Sequence, residues 1–219
     1  MPGKLTYFEV SGRSEGIRMM LAHANFQYED CRLPMAEFGQ KKAAGYFPLG
    51  SMPIWEEDGF KMCQSSAIMR MLGIRLGYYS DDPMTAWCID SIVDFCEDYT
   101  GKHVIPYSPL LGGQPFGEDA LPAWYDGFWG KVIPVINKRL EGHGRKFIAG
   151  TDRPTIADFK AFQTVIVNLD SNSACILPAH ARQKLKEMFA AAPSYNRWVQ
   201  SMEQEMASYI SSGRVPTPF

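Results

Sequence analysis

The sequence predicts two domains, a small α/β domain followed by an all-helical domain. Strand and helix patterns alternate in the first part of the chain, in the order β-α-β and then β-β-α. The turn-rich segment "GYYSDDP" at 77–83 interrupts this alternation and reads as a linker. Beyond it, strand signals almost vanish and helical periodicity dominates. We therefore predict a first domain over residues 1–79 and a second over residues 84–219.

The α/β elements follow from local patterns in chain order. Lys4 to Val10 has strand composition, residues 12–14 read as a turn, and apolar residues recur at helical spacing from Ile17 to Ala24. Residues 28–33 read as a second strand, and residues 32–49 as a loop with a short helix. The last elements are a hairpin of strands 52–57 and 60–63 around Asp58-Gly59, and a helix whose buried face is Ala67, Ile68, Met71 and Leu72.

The second domain contains only helical patterns and one long loop. Thr155 and Asp158 in "RPTIADF" have the spacing of a capping box, so we interpret Asp158 as a capping residue rather than a catalytic carboxylate. The predicted helices cover 84–99, 123–140 with a possible kink at Pro134, 155–170, 179–190 and 194–208, and the proline- and glycine-rich residues 105–122 are predicted as a loop.

Composition excludes several functional classes. The 219 residues carry a formal net charge of −2, so no basic field exists to attract nucleic acid. No apolar run is long enough to span a bilayer, and the first residues lack the apolar core of a signal peptide. These features predict a cytoplasmic protein without a nucleic-acid or membrane partner.

The cysteines and histidines do not indicate a metal site. The five cysteines are scattered and form no C-x-x-C motif, and the four histidines are equally dispersed. We therefore predict neither a disulfide framework nor a bound metal ion.

The segment "LGSMPIWEEDGFKMCQSSAIMRML" at 49–72 suggests a peptide-binding site. A cis bond before Pro53 would turn the chain and leave the backbone of Met52 free to pair with an extended ligand. Gln64 and Ser65 stand where a strand meets a helix, and a helix N-terminus offers unpaired N–H groups to an anion. The predicted ligand is a short, extended, acidic peptide.

These motifs together resemble the cytosolic glutathione transferases. The resemblance rests on "LTYFEVSGRSEGIR", on the "MP", "DG" and "QSSAI" pieces of the same segment, and on "GTDRPTIADF", and it spans essentially the whole chain. It is greatest for the sigma class, which includes prostaglandin D synthases of the haematopoietic type. It implies a thioredoxin-like N-terminal domain, an all-α C-terminal domain, glutathione as co-substrate, a homodimer and a detoxification role.

The resemblance assigns catalysis to Tyr7, which would stabilise the glutathione thiolate, with help from Arg13. The residues alone leave open that Tyr7 only packs at a strand end and that Arg13 is a solvated turn cation. The glutathione-binding residues implied by the resemblance are Tyr7, Phe8, Arg13, Phe38, Lys42, Met52, Pro53, Gln64, Ser65 and Asp98.

Several of these positions depart from the family pattern or allow another interpretation. Phe38 stands where sigma enzymes usually carry tryptophan, and phenylalanine cannot donate an indole N–H. Ser51 replaces a frequent lysine, and Lys41 could substitute for Lys42 at the glycyl carboxylate. Capping of the helix by Ser65 is compatible with its ligand role. Asp98, like its neighbour Glu97, would reach the partner subunit's glutathione, or would lie on a solvated helix face.

The second substrate is expected between the two domains. The favoured reaction is conjugation of glutathione to a small hydrophobic electrophile; the alternatives are a glutathione-dependent prostaglandin-type isomerase and a non-catalytic ligand-binding or structural relative. A redox function would need a cysteine near the first helix, and residues 1–30 contain none. The candidate lining residues are Phe8, Tyr99, His103, Tyr107 and Phe219, which could equally belong to the core.

Overall fold

The computed structural model describes residues 3–101, 121–169 and 179–213. Its N-terminal part is a four-stranded sheet in the order β2-β1-β3-β4. Strand β1 (Lys4–Phe8) lies inside the sheet, with Leu5, Thr6 and Tyr7 buried. It pairs in parallel with β2 (Glu29–Leu33) and antiparallel with β3 (Ile54–Glu57), which forms a hairpin with β4 (Phe60–Cys63).

Three helices complete this first domain. Helix α1 (Glu15–His23) provides the crossover between the parallel strands β1 and β2, as such a connection requires. Helix α2 (Met35–Ala43) lies in the segment 32–49, which is predicted as a loop with a short helix, and it is nine residues long. Helix α3 (Ser65–Leu76) follows β4 and ends at Gly77 in the left-handed conformation. The predicted β-α-β, β-β-α order is confirmed.

The second domain is entirely helical over the residues that the structure describes. Its helices are α4 (Pro83–Tyr99), α5 (Leu121–Trp124), α6 (Gly130–His143), α7 (Ile156–Leu169), α8 (Ala179–Ala190) and α9 (Pro193–Glu205). Helix α7 is central, because it packs on α4 and α9 of its own domain and on α1 and α3 of the first.

Capping side chains fix the beginnings of two of these helices. The Asp82 carboxylate accepts the Thr85 N–H at 2.8 Å, one residue before α4 begins at Pro83. At α7, the Asp158 carboxylate accepts the Thr155 N–H at 2.8 Å and the Thr155 hydroxyl at 2.9 Å. The capping role predicted for Asp158 is therefore confirmed.

Two details of the predicted helices are wrong. The segment predicted as one helix over 123–140 is divided, with a π-helical turn at Tyr125–Trp129 between α5 and α6, and Pro134 lies inside α6. Ser65 does not cap α3, since it is already the first helical residue and its hydroxyl bonds elsewhere. Most of the predicted loop at 105–122 lies outside the described residues.

None of the described helices is both long enough and apolar enough to cross a membrane.

Candidate functional site

The site begins at the end of β1, where the phenol of Tyr7 lies beside the following turn. Tyr7 is 8% exposed, and its oxygen accepts the backbone N–H of Arg13 at 3.2 Å. Gly12 adopts φ +40°, and a Cβ atom there would lie 2.6 Å from the Tyr7 oxygen. The turn can therefore approach the phenol only because residue 12 is glycine.

The environment of Tyr7 keeps its hydroxyl protonated. Burial raises the pKa of Tyr7, and this effect outweighs the hydrogen bond from the Arg13 backbone and the nearby positive charges of Arg13 and Arg18, which lower it. The phenol oxygen already accepts one N–H, and its own proton has no acceptor among the described residues. Tyr7 can therefore donate a hydrogen bond to an anion that binds next to its hydroxyl.

Glu97 of α4 joins the other charged groups of the site. One carboxylate oxygen accepts the Arg13 Nε–H at 3.2 Å, and the other accepts the Ser65 hydroxyl at 2.7 Å. Lys160 of α7 donates to this second oxygen at 2.5 Å from a side chain that is 0% exposed. A single carboxylate thus connects the turn after β1, the start of α3 and the centre of the helical domain.

The carboxylate of Glu97 is held in its charged form. Burial acts to raise the pKa of Glu97, but the ammonium of Lys160, the hydrogen bonds from Lys160 and Ser65 and the charge of Arg13 together lower it. Charge-assisted bonds of this kind are stronger than neutral ones and fix the side chains that they connect.

The start of α3 presents backbone N–H groups beside this network. Gln64 adopts φ +72° and ψ +111°, an unusual conformation for a residue with a side chain, so the chain turns sharply before Ser65. The Gln64 carbonyl accepts the first bond of α3 from the Ile68 N–H, and the N–H groups of the preceding residues have no partner within the helix. Such an end favours a carboxylate.

Met52 and Pro53 form one side of the site next to β1, which we call the Met52–Pro53 wall. The bond between them is cis, as the sequence predicts. The ladder between β1 and β3 ends at the pair Thr6–Ile54, so the backbone of Met52 lies outside the sheet, at the end where Tyr7 stands. A small cluster with Leu33, Phe47 and Ile54 brings together four predicted site residues, Tyr7, Phe8, Phe38 and Met52.

The two candidate lysines of α2 point to different neighbours. The Lys42 ammonium lies 5.7 Å from the ring centroid of Phe38, which itself contacts the ring of Phe8. Lys41 instead lies over the ring of Tyr46, at 5.2 Å. Of the two lysines, Lys42 is therefore the one that lies beside the aromatic residues next to Tyr7. Ser51, where a lysine is frequent in the family, is exposed.

The remaining predicted site residues lie on α4 or outside the described residues. Asp98 is exposed on α4, and its neighbour Glu97 makes the contacts to Arg13 and Ser65. Tyr99 is the last residue of α4. His103, Tyr107 and Phe219 lie outside the described residues, so their assignment to the electrophile pocket stays a prediction.

Sequence reasoning misses three residues that touch the site: Gly12, Lys160 and Gln163. The pattern indicates Gly12 only as a turn residue. Lys160 and Gln163 lie in "ADFKAFQTV", where polar residues stand between apolar ones. A buried cation in such a helix needs a charged partner. The presence of Lys160 in this pattern is therefore the signal that could have identified its role.

No group of histidine, cysteine and acidic side chains able to hold a metal ion occurs in the described ranges.

The comparisons with known proteins agree with this geometry. Residues 3–73 match the family model "Glutathione S-transferase, N-terminal domain". The chain is 29% identical over 204 residues to Glutathione S-transferase 1 of Ascaris suum, a match that covers 90% of this chain and 94% of that protein. It is 38% identical over 96 residues to human hematopoietic prostaglandin D synthase, covering 44% of this chain and 47% of that protein.

The solved structures give the same result for the fold. The crystal structure of the glutathione S-transferase from Ascaris lumbricoides superposes with a TM-score of 0.80 at 25% identity, over 100% of both chains. Together with the four-stranded mixed sheet and the helical second domain, these matches confirm the thioredoxin-like fold predicted for the N-terminal domain and the all-α domain after it. The chain is thus similar to glutathione S-transferases in its N-terminal domain and along most of its length, and this similarity supports a transferase that uses glutathione as co-substrate.

Proposed function

We propose that this transferase conjugates the glutathione thiolate to small hydrophobic electrophiles, with Tyr7 as the group that stabilises the thiolate. The observation that carries the proposal is the protonated phenol of Tyr7, whose oxygen accepts the Arg13 N–H and whose own proton is free to donate among the described residues. It stands at the end of β1, beside the Met52–Pro53 wall and the network that includes Ser65.

One or two hydrogen bonds can supply the free energy needed to stabilise the glutathione thiolate. A thiol with a pKa of ~8.5 is only about 3% thiolate at neutral pH. Lowering that pKa to ~6.5 makes the thiolate the main form and corresponds to ~2.7 kcal/mol. A hydrogen bond to a charged group contributes about 1.5–3 kcal/mol. The Tyr7 hydroxyl, aided by the positive charge of Arg13, therefore suffices.

Three groups of the site suit the three residues of an extended tripeptide. The backbone of Met52 lies beyond the ladder and can pair with the cysteinyl part of glutathione. The N–H groups at Gln64 and Ser65 suit the γ-glutamyl carboxylate. Lys42 is the lysine that we assign to the glycyl carboxylate, because it shares the aromatic cluster of Phe38 with the site.

The reaction itself needs little beyond proximity and the thiolate. The sulfur attacks an electrophilic carbon and forms a thioether, and either a leaving group departs with its electron pair or a conjugated acceptor takes up a proton afterwards. The electrophile would lie between the domains, beside Phe8.

A second function is supported by the match to human hematopoietic prostaglandin D synthase, which is 38% identical over 96 residues. In that case the same thiolate would assist isomerisation of a prostaglandin-type endoperoxide. Assays of the purified protein with an aryl halide and with a prostaglandin endoperoxide separate the two functions, since only the first consumes glutathione.

The family resemblance also supports four broader proposals. We assign the chain to the sigma class, on the motif "LTYFEVSGRSEGIR". We propose a homodimer in the cytoplasm with a detoxification role. Sedimentation of the purified protein tests whether it is a dimer. The test is informative because one structural neighbour at 23% identity, from Necator americanus, is described as monomeric.

Replacing Tyr7 by phenylalanine tests the catalytic assignment. Because the hydroxyl stabilises only the thiolate, we expect Tyr7→Phe to bind glutathione with little change while kcat/KM falls about 10–100-fold. The midpoint of thiolate formation, followed by ultraviolet absorbance against pH, should rise toward that of free glutathione. Tyr79→Phe is the matched control, since that phenol donates to Asp90 at 2.7 Å, away from the site. Unchanged turnover of Tyr7→Phe would remove the catalytic role of Tyr7.

A further inference from the structure

We propose that the helical domain positions the thiol-activating turn through two side chains of α7, Lys160 and Gln163, which act as positioning residues for Arg13, Ser65 and the Tyr7 phenol. This inference rests on the proposed function, because only there do Tyr7 and Ser65 act on glutathione. It assigns a role in activation to a helix that contributes no group of its own to the sulfur.

Gln163 bonds to both ends of the turn. Its side-chain amide donates to the Gly12 carbonyl at 2.6 Å, and its carbonyl oxygen accepts the Gly16 N–H at 3.0 Å. Helix α1 has no side-chain cap of its own, so Gln163 caps it from the other domain. Since Gln163 is 5% exposed, neither bond is shared with bulk solvent, and the backbone between residues 12 and 16 is fixed at both ends.

The segment that Gln163 fixes contains the partner of the phenol. Arg13 lies between Gly12 and Gly16, and its N–H donates to the Tyr7 oxygen. A displacement of the turn by a few tenths of an ångström would change this bond and the space that Gly12 leaves for the phenol. The position of Tyr7 therefore depends on Gln163 through the backbone of the turn.

Lys160 reaches the same turn by a second route. Its ammonium bonds to Glu97, and Glu97 accepts the side chains of Arg13 and Ser65. Residues 160 and 163 are three apart on a helix and so share one face, which α7 turns toward α1 and α4. One helix face thus holds the backbone of the turn directly and its arginine through a carboxylate.

Stability alone does not explain the buried charge. A buried ion pair is often no more stable than a well-packed apolar replacement of the same volume, because both charges lose their hydration. A fully buried lysine in α7 is therefore poorly explained by packing. Orientation of Arg13 and Ser65 by Glu97 explains it, since an apolar pair could not hold those two donors.

The first experiment uses Gln163→Leu and Gln163→Glu, with Gln183→Leu as the matched control. Gln183 is exposed on α8 and bonds only within its own helix, to Glu187. Amide hydrogen exchange of the free protein should be at least 10-fold faster at Gly16 and Arg13 in Gln163→Leu. In Gln163→Glu, which keeps the acceptor for the Gly16 N–H, the Gly16 amide should stay protected. Wild-type exchange at both amides in folded Gln163→Leu would overturn the role of Gln163.

The second experiment compares Lys160→Met with the double variant Lys160→Met/Glu97→Leu and with the control Lys146→Met. Lys146 is a half-exposed lysine that pairs with Glu205, so its loss removes the same charge without touching the turn. We expect Lys160→Met to lower the melting temperature and to raise KM for glutathione at least 5-fold. The double variant also removes the carboxylate that has lost its buried ammonium partner, so it should recover melting temperature while KM and the pH midpoint of thiolate formation stay raised.

The outcomes distinguish positioning from simple structural support. If the double variant returns both the melting temperature and the glutathione KM to wild-type values, or if Lys160→Met leaves KM unchanged, the positioning role of Lys160 is overturned. If the wild type itself forms no thiolate with glutathione, the proposed function fails and the role in activation fails with it. The exchange data, which need no ligand, then still decide whether α7 holds the turn.

Discussion

At the scale of single residues, Gly12 sets the space available to the phenol of Tyr7. Its backbone lies at φ +40°, and a Cβ atom would come within 2.6 Å of the Tyr7 oxygen and 2.8 Å of its ring. Such contacts are far inside van der Waals distance, so a side chain would displace either the turn or the phenol.

We therefore predict that Gly12→Ala impairs thiolate formation. Displacing Tyr7 from the sulfur should lower kcat/KM at least 10-fold, which corresponds to ~1.4 kcal/mol, and raise the pH midpoint of the thiolate absorbance. Gly45→Ala is the control, because Gly45 also has positive φ (+70°) but a Cβ there would meet nothing within 4 Å. That variant should lose about 1 kcal/mol of stability and keep its activity. Equal effects of the two substitutions would show that backbone strain, rather than the phenol contact, is responsible.

The sequence predicts the residues of the site that depend on local signals. Tyr7 lies near the end of a strand and Arg13 in the turn after it, Pro53 follows Met52, and Gln64-Ser65 stand between a strand and a helix, so each lies at a recognisable junction. The sequence indicates both Glu97 and Asp98 on the helix near the site. That Glu97 contacts Arg13 and Ser65 depends on helix rotation, which is set by packing against α3 and α7 and is not encoded in local spacing.

At the scale of elements, the start of α7 depends on a single carboxylate. Asp158 is 0% exposed and accepts four hydrogen bonds, from the Thr155 N–H and hydroxyl, the Ile148 N–H and the Trp198 indole N–H. It therefore ties the loop before α7 and helix α9 to the first turn of α7. Because Lys160 and Gln163 are on the same helix, the site depends on this cap.

We predict that Asp158→Asn lowers the free energy of unfolding by about 2–4 kcal/mol. An asparagine has one acceptor oxygen instead of two, and its amide N–H groups would face donors, so buried N–H groups lose their partner. Asp152→Asn is the control, since Asp152 is 87% exposed and pairs only with Arg145 on the surface. Its effect should be under about 0.5 kcal/mol. Denaturant unfolding measures both, and a loss below about 1 kcal/mol for Asp158→Asn would contradict the capping role.

Element types are predictable where periodicity is long, and less so where it is short. Helices at 84–99 and 179–190 match α4 and α8 closely, because the apolar stripe extends over several turns. Helix α2 is indicated only as a short helix within a loop, since none of its residues is buried and an apolar stripe is lacking. The π-helical turn at Tyr125–Trp129 carries no local signal, so the division of the segment predicted as one helix over 123–140 could not be read from the sequence.

At the scale of the whole molecule, Glu97 pairs with Lys160 inside the second domain and accepts hydrogen bonds from Arg13 and Ser65 of the first, and this ionised carboxylate should make stability depend on pH. Burial opposes ionisation of Glu97, but Lys160, Ser65 and Arg13 outweigh it and lower its pKa from the ordinary value of 4.5. The unfolded chain therefore binds more protons below pH ~4.5 than the folded chain does. The contribution is present above that pH and is lost as the pH falls through the lower pKa of the folded state.

We predict that the free energy of unfolding decreases as the pH falls from ~5 to ~3, and that Glu97→Gln makes this decrease shallower. One proton contributes at most ~1.4 kcal/mol per pH unit to the slope. Urea unfolding at a series of pH values measures it, and Glu203→Gln, at an exposed position of α9, should leave the slope unchanged. A wild-type slope in Glu97→Gln would mean that Glu97 is not ionised against Lys160.

The domain boundary is predicted from the linker at 77–83, but the sequence does not show that the two domains share one core. Tyr78, in that linker, is buried, accepts the Ile156 N–H at 3.0 Å through its carbonyl and lies under the guanidinium of Arg153. A single apolar cluster includes Leu5 and Ile17 of the first domain and Phe159 of the second. Apolar periodicity identifies a buried face but not the element that covers it, so this continuity could not be read from the pattern.

The shared core predicts that residues 1–79 do not fold alone. Helices α1 and α3 face α7 across the boundary, and a Cβ atom at Gly73 would lie 2.5 Å from the Ile156 side chain, which shows how closely the domains pack. Without α7, the apolar face of α1 is exposed to water and Gln163 no longer caps that helix, so a small domain loses much of its buried apolar area. The isolated fragment should show no cooperative thermal transition by circular dichroism and poor amide dispersion by NMR, whereas the full chain should show both. A fragment with a cooperative transition and dispersed amides would instead make residues 1–79 an independent folding unit, and the turn at residues 12–16 would then be held by the first domain itself.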